Sequence, residues 1–481
     1  MKGMNYSGLI LLPIVLLFFA CQLQEPEVKS SPSDTGILDF SKYVAIGNSL
    51  TAGFQSGSLV EDHQKYSFPN LIARQLSIKD FQQPTVTYPG LPGLMTLESV
   101  TGTLGTAPGM GIPTNLGLAR PYDNMGIPGI LLADVDSALS SALSYSKSPA
   151  IDLILRGFGT QLQQTLSLNP KFMTLWIGNN DALGFASSGG TSPSEPTNPI
   201  LFDLWYRQLA DKIANSGARV VVANIPGVTF APYFTTVGPM VAAGVAGAKA
   251  QNPAIMGLYY QRHGEIIPDP ASGFTNFDEA VPPLVTLVGG RYAGLLGQPT
   301  GKWYRDVADG SDIPVSDYLA TLPGIDTTHA FGFHPHNPWP DALILDADEL
   351  ATVNAAIAAY NNTIASVALQ YGFGLFDANK FLAEIAADSD GYNPGYGLPP
   401  VTTAYISGGL ISLDGVHPTN LGYAIIANKF IEAANNKFGT NIQPVNLRDV
   451  VGRAPPAAAK ISEYDLPALN YTIKILGGSI N

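Results

Sequence analysis

The chain has 481 residues, of which only 13% are charged and 46% hydrophobic, with 50 glycines and 38 prolines. That balance supports a large core joined by many loops and is too apolar for a disordered chain. The formal net charge of −13 argues against nucleic-acid binding, which needs a basic face.

Lys2 precedes an apolar run, Leu9 to Phe19, that is short for a membrane span and suits a signal-peptide core. The run ends at Ala20-Cys21, and Cys21 is the only cysteine. A small residue before a lone cysteine resembles a bacterial lipoprotein signal. The resemblance implies a lipidated Cys21 at a new N-terminus and a place in the bacterial cell envelope, as an outer-membrane lipoprotein facing the periplasm or the surface. Phe18 and Phe19 depart from the usual residues upstream of the alanine, and the alternative is a plain signal peptide with an incidental cysteine. Residues 1–21 are read as the leader, and residues 22–37, with Glu, Ser and Pro, as a flexible tether. A single cysteine leaves no disulfide within the chain.

The short apolar run Tyr43 to Ile46 predicts a buried strand of a parallel sheet. It stops at Gly47 and delivers Ser49 to the carboxyl end of the strand, where ligands sit in open α/β sheets. Ser67-Phe68-Pro69 starts a helix with Leu71, Ile72 and Leu76 on one face. Residues 82–123, rich in Gly, Pro and Thr, read as an insertion or long loop over the sheet. Asn124 to Gly129 follows as a glycine-rich turn leading into the apolar-periodic stretch Ile130 to Val135.

A second strand over Phe172 to Ile177 ends in Gly178-Asn179-Asn180-Asp181. A helix over Leu201 to Ser216 then leads to a third strand, Arg219 to Asn224. Alternating strand and helix signals predict βαβ units, and hence an α/β fold with a parallel sheet. The pattern fails over residues 227–345, which read as a large inserted lid or subdomain near the strand ends. Regularity returns with a helix over Asp346 to Tyr371 closed by Gly372, and a strand over Gly374 to Asp377. The loop Leu413 to Thr419 precedes an amphipathic helix bearing Tyr423, Ile426, Ala427, Phe430, Ile431 and Ala434. The main domain is thus expected over residues 38–438. Residues 439–481 form a C-terminal extension whose packing the pattern leaves open.

A serine that cleaves an ester needs a base for its proton, a group to orient that base, and donors for the developing oxyanion. Of the six histidines, His417 has the best context, in a loop before a helix with Asp414 three residues upstream. That spacing lets the carboxylate reach one ring nitrogen while the other faces a serine. Gly47-Asn48-Ser49-Leu50, Asn124 to Gly129, Gly178 to Asp181 and Asp414 to His417 resemble, in this order, the four sequence blocks of the SGNH, or GDSL-type, hydrolase family. The resemblance implies Ser49 as nucleophile, His417 as base and Asp414 as its orienter. It further implies an oxyanion hole formed by the Ser49 N–H, the Gly129 N–H and the Asn180 side chain.

It implies a three-layer α/β/α, flavodoxin-like domain carrying large insertions, and carboxylic ester hydrolysis (as an esterase or lipase) with no metal or organic cofactor. Asn48 stands where the family has aspartate. No Gly-x-Ser-x-Gly elbow occurs, so the α/β-hydrolase pattern lacks its nucleophile turn. The ester could be a lipid, a short-chain ester or an acetylated glycan, because specificity lives in loops. The alternative function is a non-catalytic surface lipoprotein that binds glycan or lipid on the same fold.

His329, His334 and His336 crowd into eight residues with Asp326 nearby, a donor set that zinc accepts. No second ligand cluster accompanies them, and Pro335 favours an extended loop, so no metal is assigned. The aromatics around them, Trp303, Tyr304, Phe331, Phe333 and Trp339, read as the core of the inserted region rather than as a sugar-stacking wall.

Overall fold

The computed structural model describes residues 36, 38–97, 104–191, 195–262 and 272–451. The expected leader, Cys21 and most of the tether lie outside the described residues, as does the chain after Val451. Among the described residues no helix is long and apolar enough to cross a membrane.

Five short strands build the central sheet: β1 (Tyr43–Gly47), β2 (Asn124–Gly126), β3 (Phe172–Trp176), β4 (Arg219–Ala223) and β5 (Gly374–Phe376). They run in the order β2-β1-β3-β4-β5, all parallel. Near-continuous burial along β1 and β3 explains their unbroken apolar sequences, since parallel strands are covered on both faces. Side chains alternate between two cores. Ile46, Met173, Leu175, Val220 and Val222 point one way, and Tyr43, Ala45, Phe172, Val221 and Ala223 the other.

Helices cover both faces. Against the first core lie α3 (Gln161–Ser167), α5 (Pro199–Ala214) and α7 (Ala347–Tyr371); against the second lie α2 (Phe68–Gln75), α8 (Ala378–Ala387) and α9 (Asn420–Phe438). Two further helices, α1 (Ser49–Ala52) and α4 (Asn180–Ser187), start at the ends of β1 and β3. Helix α2 begins where Ser67 caps the Asn70 N–H and Pro69 occupies the first turn. Helix α7 begins with a reciprocal Asp346/Glu349 capping box and ends at Gly372, whose φ of +69° suits glycine. Helix α9 is capped by Thr419, directly after His417-Pro418. The second core is locked by aromatic packing: the Phe430 ring stacks on Phe68 at 4.6 Å and meets Trp176 and Phe376 edge-on.

One expectation needs correction, and the two inserted stretches gain detail. Asn124 to Gly126 is the edge strand β2 rather than part of a turn, and Ile130 to Val135 forms only a 3₁₀ turn at Leu132–Asp134. Residues 82–123 include a short antiparallel pair, Met95–Leu97 with Leu104–Thr106. Within residues 227–345 the Ala/Gly-rich run is a regular helix, α6 (Gly238–Gln251). Small residues occur on every side of α6, so it has no apolar stripe to reveal it. Residues 227–345 have their own small core, built from Val237, Val241, Leu258, Val285, Phe331 and Trp339. Between Gly439 and Val451 the chain packs onto the domain: Ile442, Val445, Leu447 and Val450 are buried, and Asn428 and Asn435 of α9 bind its backbone.

Because chain order reverses at β1, with β2 on one side and β3 on the other, a crevice opens where their carboxyl ends diverge. Close packing holds α1 in that crevice. A Cβ at Gly126 would lie 2.2 Å from the Ala52 nitrogen, and one at Gly47 2.4 Å from the Trp176 carbonyl oxygen. Gly126→Ala is therefore expected to cost about 1–3 kcal/mol or more through forced backbone movement, read as a lower urea midpoint. An unchanged midpoint would contradict the packing described.

Candidate active site

Ser49 is the first residue of α1, just past β1, and only 8% of it is exposed. Asn48 fixes that turn. Its side-chain oxygen accepts the Leu50 N–H at 3.0 Å, and its amide donates to the Asn179 side-chain oxygen at 2.9 Å. An aspartate at position 48 could cap but not donate, and Asn179 would have to turn its own amide to meet it. The departure at Asn48 is thus matched by Asn179, the residue before Asn180 in the block Gly178 to Asp181.

His417 comes from 368 residues further on, and its Nε2 lies 2.9 Å from Ser49 Oγ. Its Nδ1 lies 3.0 Å from Asp414 Oδ2. The carboxylate takes three further bonds: Oδ1 accepts the Val416 and His417 N–H groups at 2.9 and 2.8 Å, and Oδ2 accepts the Gly57 N–H at 2.8 Å. Burial alone would raise the pKa of Asp414, but the attraction and hydrogen bond of the His417 ring, with the His417 and Val416 N–H groups, outweigh it and hold the carboxyl down at about 2. An ionised carboxylate only accepts, so Nδ1 carries the ring proton and Nε2 is left to accept from the serine hydroxyl.

The loop around His417 is braced on all sides. The Ser412 N–H donates to the His417 carbonyl at 2.7 Å, and Ile411 pairs with Pro418. The Tyr405 hydroxyl donates to the Leu413 carbonyl, and the Phe54 ring packs on the imidazole at 4.8 Å. The turn that presents Gly57 is held by the mutual Gln55 and Ser58 backbone bonds and by a Ser412 hydroxyl accepting the Ser56 N–H at 2.9 Å. Gly57 has a φ of +74°, a conformation that favours glycine. Nothing in the sequence pattern pointed to Gly57.

The remaining expected residues gather nearby. The Asn180 amide donates to the Ile130 carbonyl at 2.9 Å, which sets its side chain against the turn at Gly129 and leaves a second amide hydrogen. Among the described residues, neither the Ser49 N–H nor the Gly129 N–H meets a protein acceptor. Gly129 has φ +79°. Ser49, His417, Asn179 and Asn180 border one cavity, whose walls do not include Gly129.

Beside Asn180, Asp181 is buried and accepts the Leu132 N–H at 3.0 Å and the Thr197 hydroxyl at 2.8 Å. Burial pushes its carboxyl up to about 7, with Asp134 adding repulsion against those donors.

The histidine cluster stands apart, in the inserted region. His329 and His334 stack with ring centroids 3.7 Å apart, and the His336 Nδ1 faces the Gly324 carbonyl at 2.9 Å. Among the described residues no group of three or more His, Cys, Asp or Glu is arranged to hold a metal ion. Tyr304, Phe331 and Trp339 are buried in the inserted region, with Trp303 and Phe333 packed against its core.

No family model and no curated protein matches the chain. Among solved structures it is similar to an extracellular lipase from Streptomyces rimosus, 14% identical, over 82% of this chain and 98% of that one, with a TM-score of 0.31.

The Asp181 environment makes a pH-dependent prediction. A carboxyl near 3.8 when unfolded and near 7 when folded binds more protons in the native state between those values. Stability is therefore full below about pH 4 and falls as pH rises through 7. Asp181→Asn is expected to raise stability at pH 8 by about 1–3 kcal/mol, below the ~4 kcal/mol that such a rise represents because one acceptor is lost. The gain should vanish at pH 4, and equal effects at both pH values by urea denaturation would contradict it.

Proposed function

We propose that the chain is a serine-dependent carboxylic ester hydrolase, an esterase or lipase on a three-layer α/β/α, flavodoxin-like domain of SGNH type. The observation that carries this reading is the relay Ser49 Oγ, His417 Nε2, His417 Nδ1, Asp414 Oδ2, with contacts of 2.9 and 3.0 Å between groups from opposite ends of the domain. The reading is further supported by the position of Ser49 at the switch point of the sheet, and by Ser49 and Gly129 N–H groups that meet no acceptor among the described residues, with the Asn180 amide bonded to the Ile130 carbonyl next to Gly129.

In the proposed mechanism Ser49 Oγ attacks the ester carbonyl carbon while His417 Nε2 takes its proton. The carbonyl oxygen becomes an anion held by the Ser49 and Gly129 N–H groups and the Asn180 amide. Collapse of this intermediate breaks the bond to the alcohol oxygen, which receives the proton from His417 and leaves as the alcohol. Water then repeats the sequence on the acyl-enzyme, releasing the acid and restoring Ser49. Asp414 stays ionised throughout, keeps the imidazole tautomer and stabilises the imidazolium. No step calls on a metal or organic cofactor. Cys21, lipidated after removal of the leader, would tether the enzyme in the bacterial envelope as an outer-membrane lipoprotein, on the periplasmic side or the surface.

Hydrolysis of p-nitrophenyl butyrate tests the roles separately. Ser49→Ala should lower kcat by about a thousandfold or more, and Asp414→Asn by roughly 10²–10⁴-fold. Wild-type rates in Ser49→Ala would sink the nucleophile. A wild-type protein inert toward esters would favour a binding role for the fold.

A further inference from the structure

The cavity at Ser49 continues well past the reacting groups. It passes Trp176 at the end of β3, Ile225 and Pro226 after β4, and Phe376 at the end of β5, reaching Ala378 and Phe381 of α8. From β1 to β5 is three inter-strand steps, about 14 Å. Its roof is the first segment of the inserted region, through Val228, Phe230 and Phe234. That segment is pinned over the site where the Tyr233 N–H donates to the Gly415 carbonyl at 3.0 Å, one residue from Asp414.

The lining is polar only at one end. Ser49, Asn179, Asn180 and His417 carry the polar side chains, and every other wall residue is apolar. Trp176, the one exception by atom type, already donates its indole N–H to the Asn224 carbonyl at 3.0 Å. A sugar in this space would lose its water and find no partners, costing several kcal/mol for each stranded hydroxyl. A hydrocarbon chain loses nothing and gains from each methylene transferred.

We propose that this cavity holds the acyl chain of the substrate, and that the enzyme is specific for esters of medium-to-long unbranched fatty acids rather than for acetylated glycans or acetate esters. The inference rests on the reading of Ser49 as the nucleophile. The acyl half is assigned to the cavity because it stays bonded to Ser49 after the first step. The alcohol must leave before water enters, so the covered space suits the half that remains. Ala378 and Leu382 of α8 both line this cavity, one helical turn apart.

The experiment is a series of p-nitrophenyl esters from acetate through butyrate and octanoate to decanoate, run beside labelling by a fluorophosphonate. Each buried methylene contributes a factor of about three to four, so kcat/KM should rise at least a hundredfold from acetate to decanoate. In Ala378→Phe and in Leu382→Trp, the ratio of decanoate to butyrate kcat/KM should fall at least tenfold. Two substitutions on different turns of α8 guard against one that misfolds. A flat series, or one that peaks at acetate, with Ser49 still labelled by the fluorophosphonate, overturns the inference and leaves the esterase reading intact. Decyl acetate cleaved as well as p-nitrophenyl decanoate would give the cavity to the alcohol and overturn the acyl assignment. Silence toward every ester together with failure to label removes the esterase reading, and this inference with it.

Discussion

The Asp414 carboxylate accepts four hydrogen bonds at a site largely shut off from water, and two distant segments depend on it. Two of its donors are the N–H groups of its own loop, which curl the backbone so that His417 returns toward Ser49. The third is Gly57, from the turn that follows α1, and the fourth is the imidazole. A buried anion without these donors would be pushed toward neutrality. With them it stays charged, fixes the imidazole tautomer, and ties the chain near residue 57 to the chain near residue 417. Loss of any one donor would disturb the ring orientation as well as the charge.

The sheet supplies the other half of the arrangement. Gly47 and Gly126 let α1 lie against the strand ends with no side chain between, and this puts Ser49 in the crevice between β1 and β3. The polar residues that follow β3 reach the same crevice. The inserted region after β4 then adds Val228, Phe230 and Phe234 to a cavity that is polar at Ser49, Asn179, Asn180 and His417 and apolar elsewhere. Ser49 and His417 are thus set by the end of β1 and the loop before α9, while the cavity beside them is walled by strand ends, α8 and the inserted region together.

The parts visible in the sequence were those where one residue type answers one physical demand. Buried parallel strands need unbroken apolar runs, so β1, β3 and β4 were legible, as were α7 and α9 through their apolar stripes and their ends at Gly372 and Thr419. The contacts that join Ser49, His417 and Asp414 were foreshadowed because polar side chains in short motifs stand at a strand end and before a helix. The Gly57 N–H was hidden, since any residue but proline has one and only the fold aims it. Helix α6 was hidden because alanine and glycine on every side leave no period. Edge strand β2 was hidden by its length of three residues and its glycine. The cavity was illegible for a different reason: its walls come from β3, β4, β5, α8 and the inserted region, which no local pattern connects.

The most direct measurement of the central claim is the mass of the full chain after treatment with a fluorophosphonate, followed by peptide mapping. A serine activated by His417 and Asp414 should take up one phosphonyl group, carried by the peptide containing Ser49, with uptake abolished in His417→Ala. An unmodified protein, or a label on any other residue, would contradict the account.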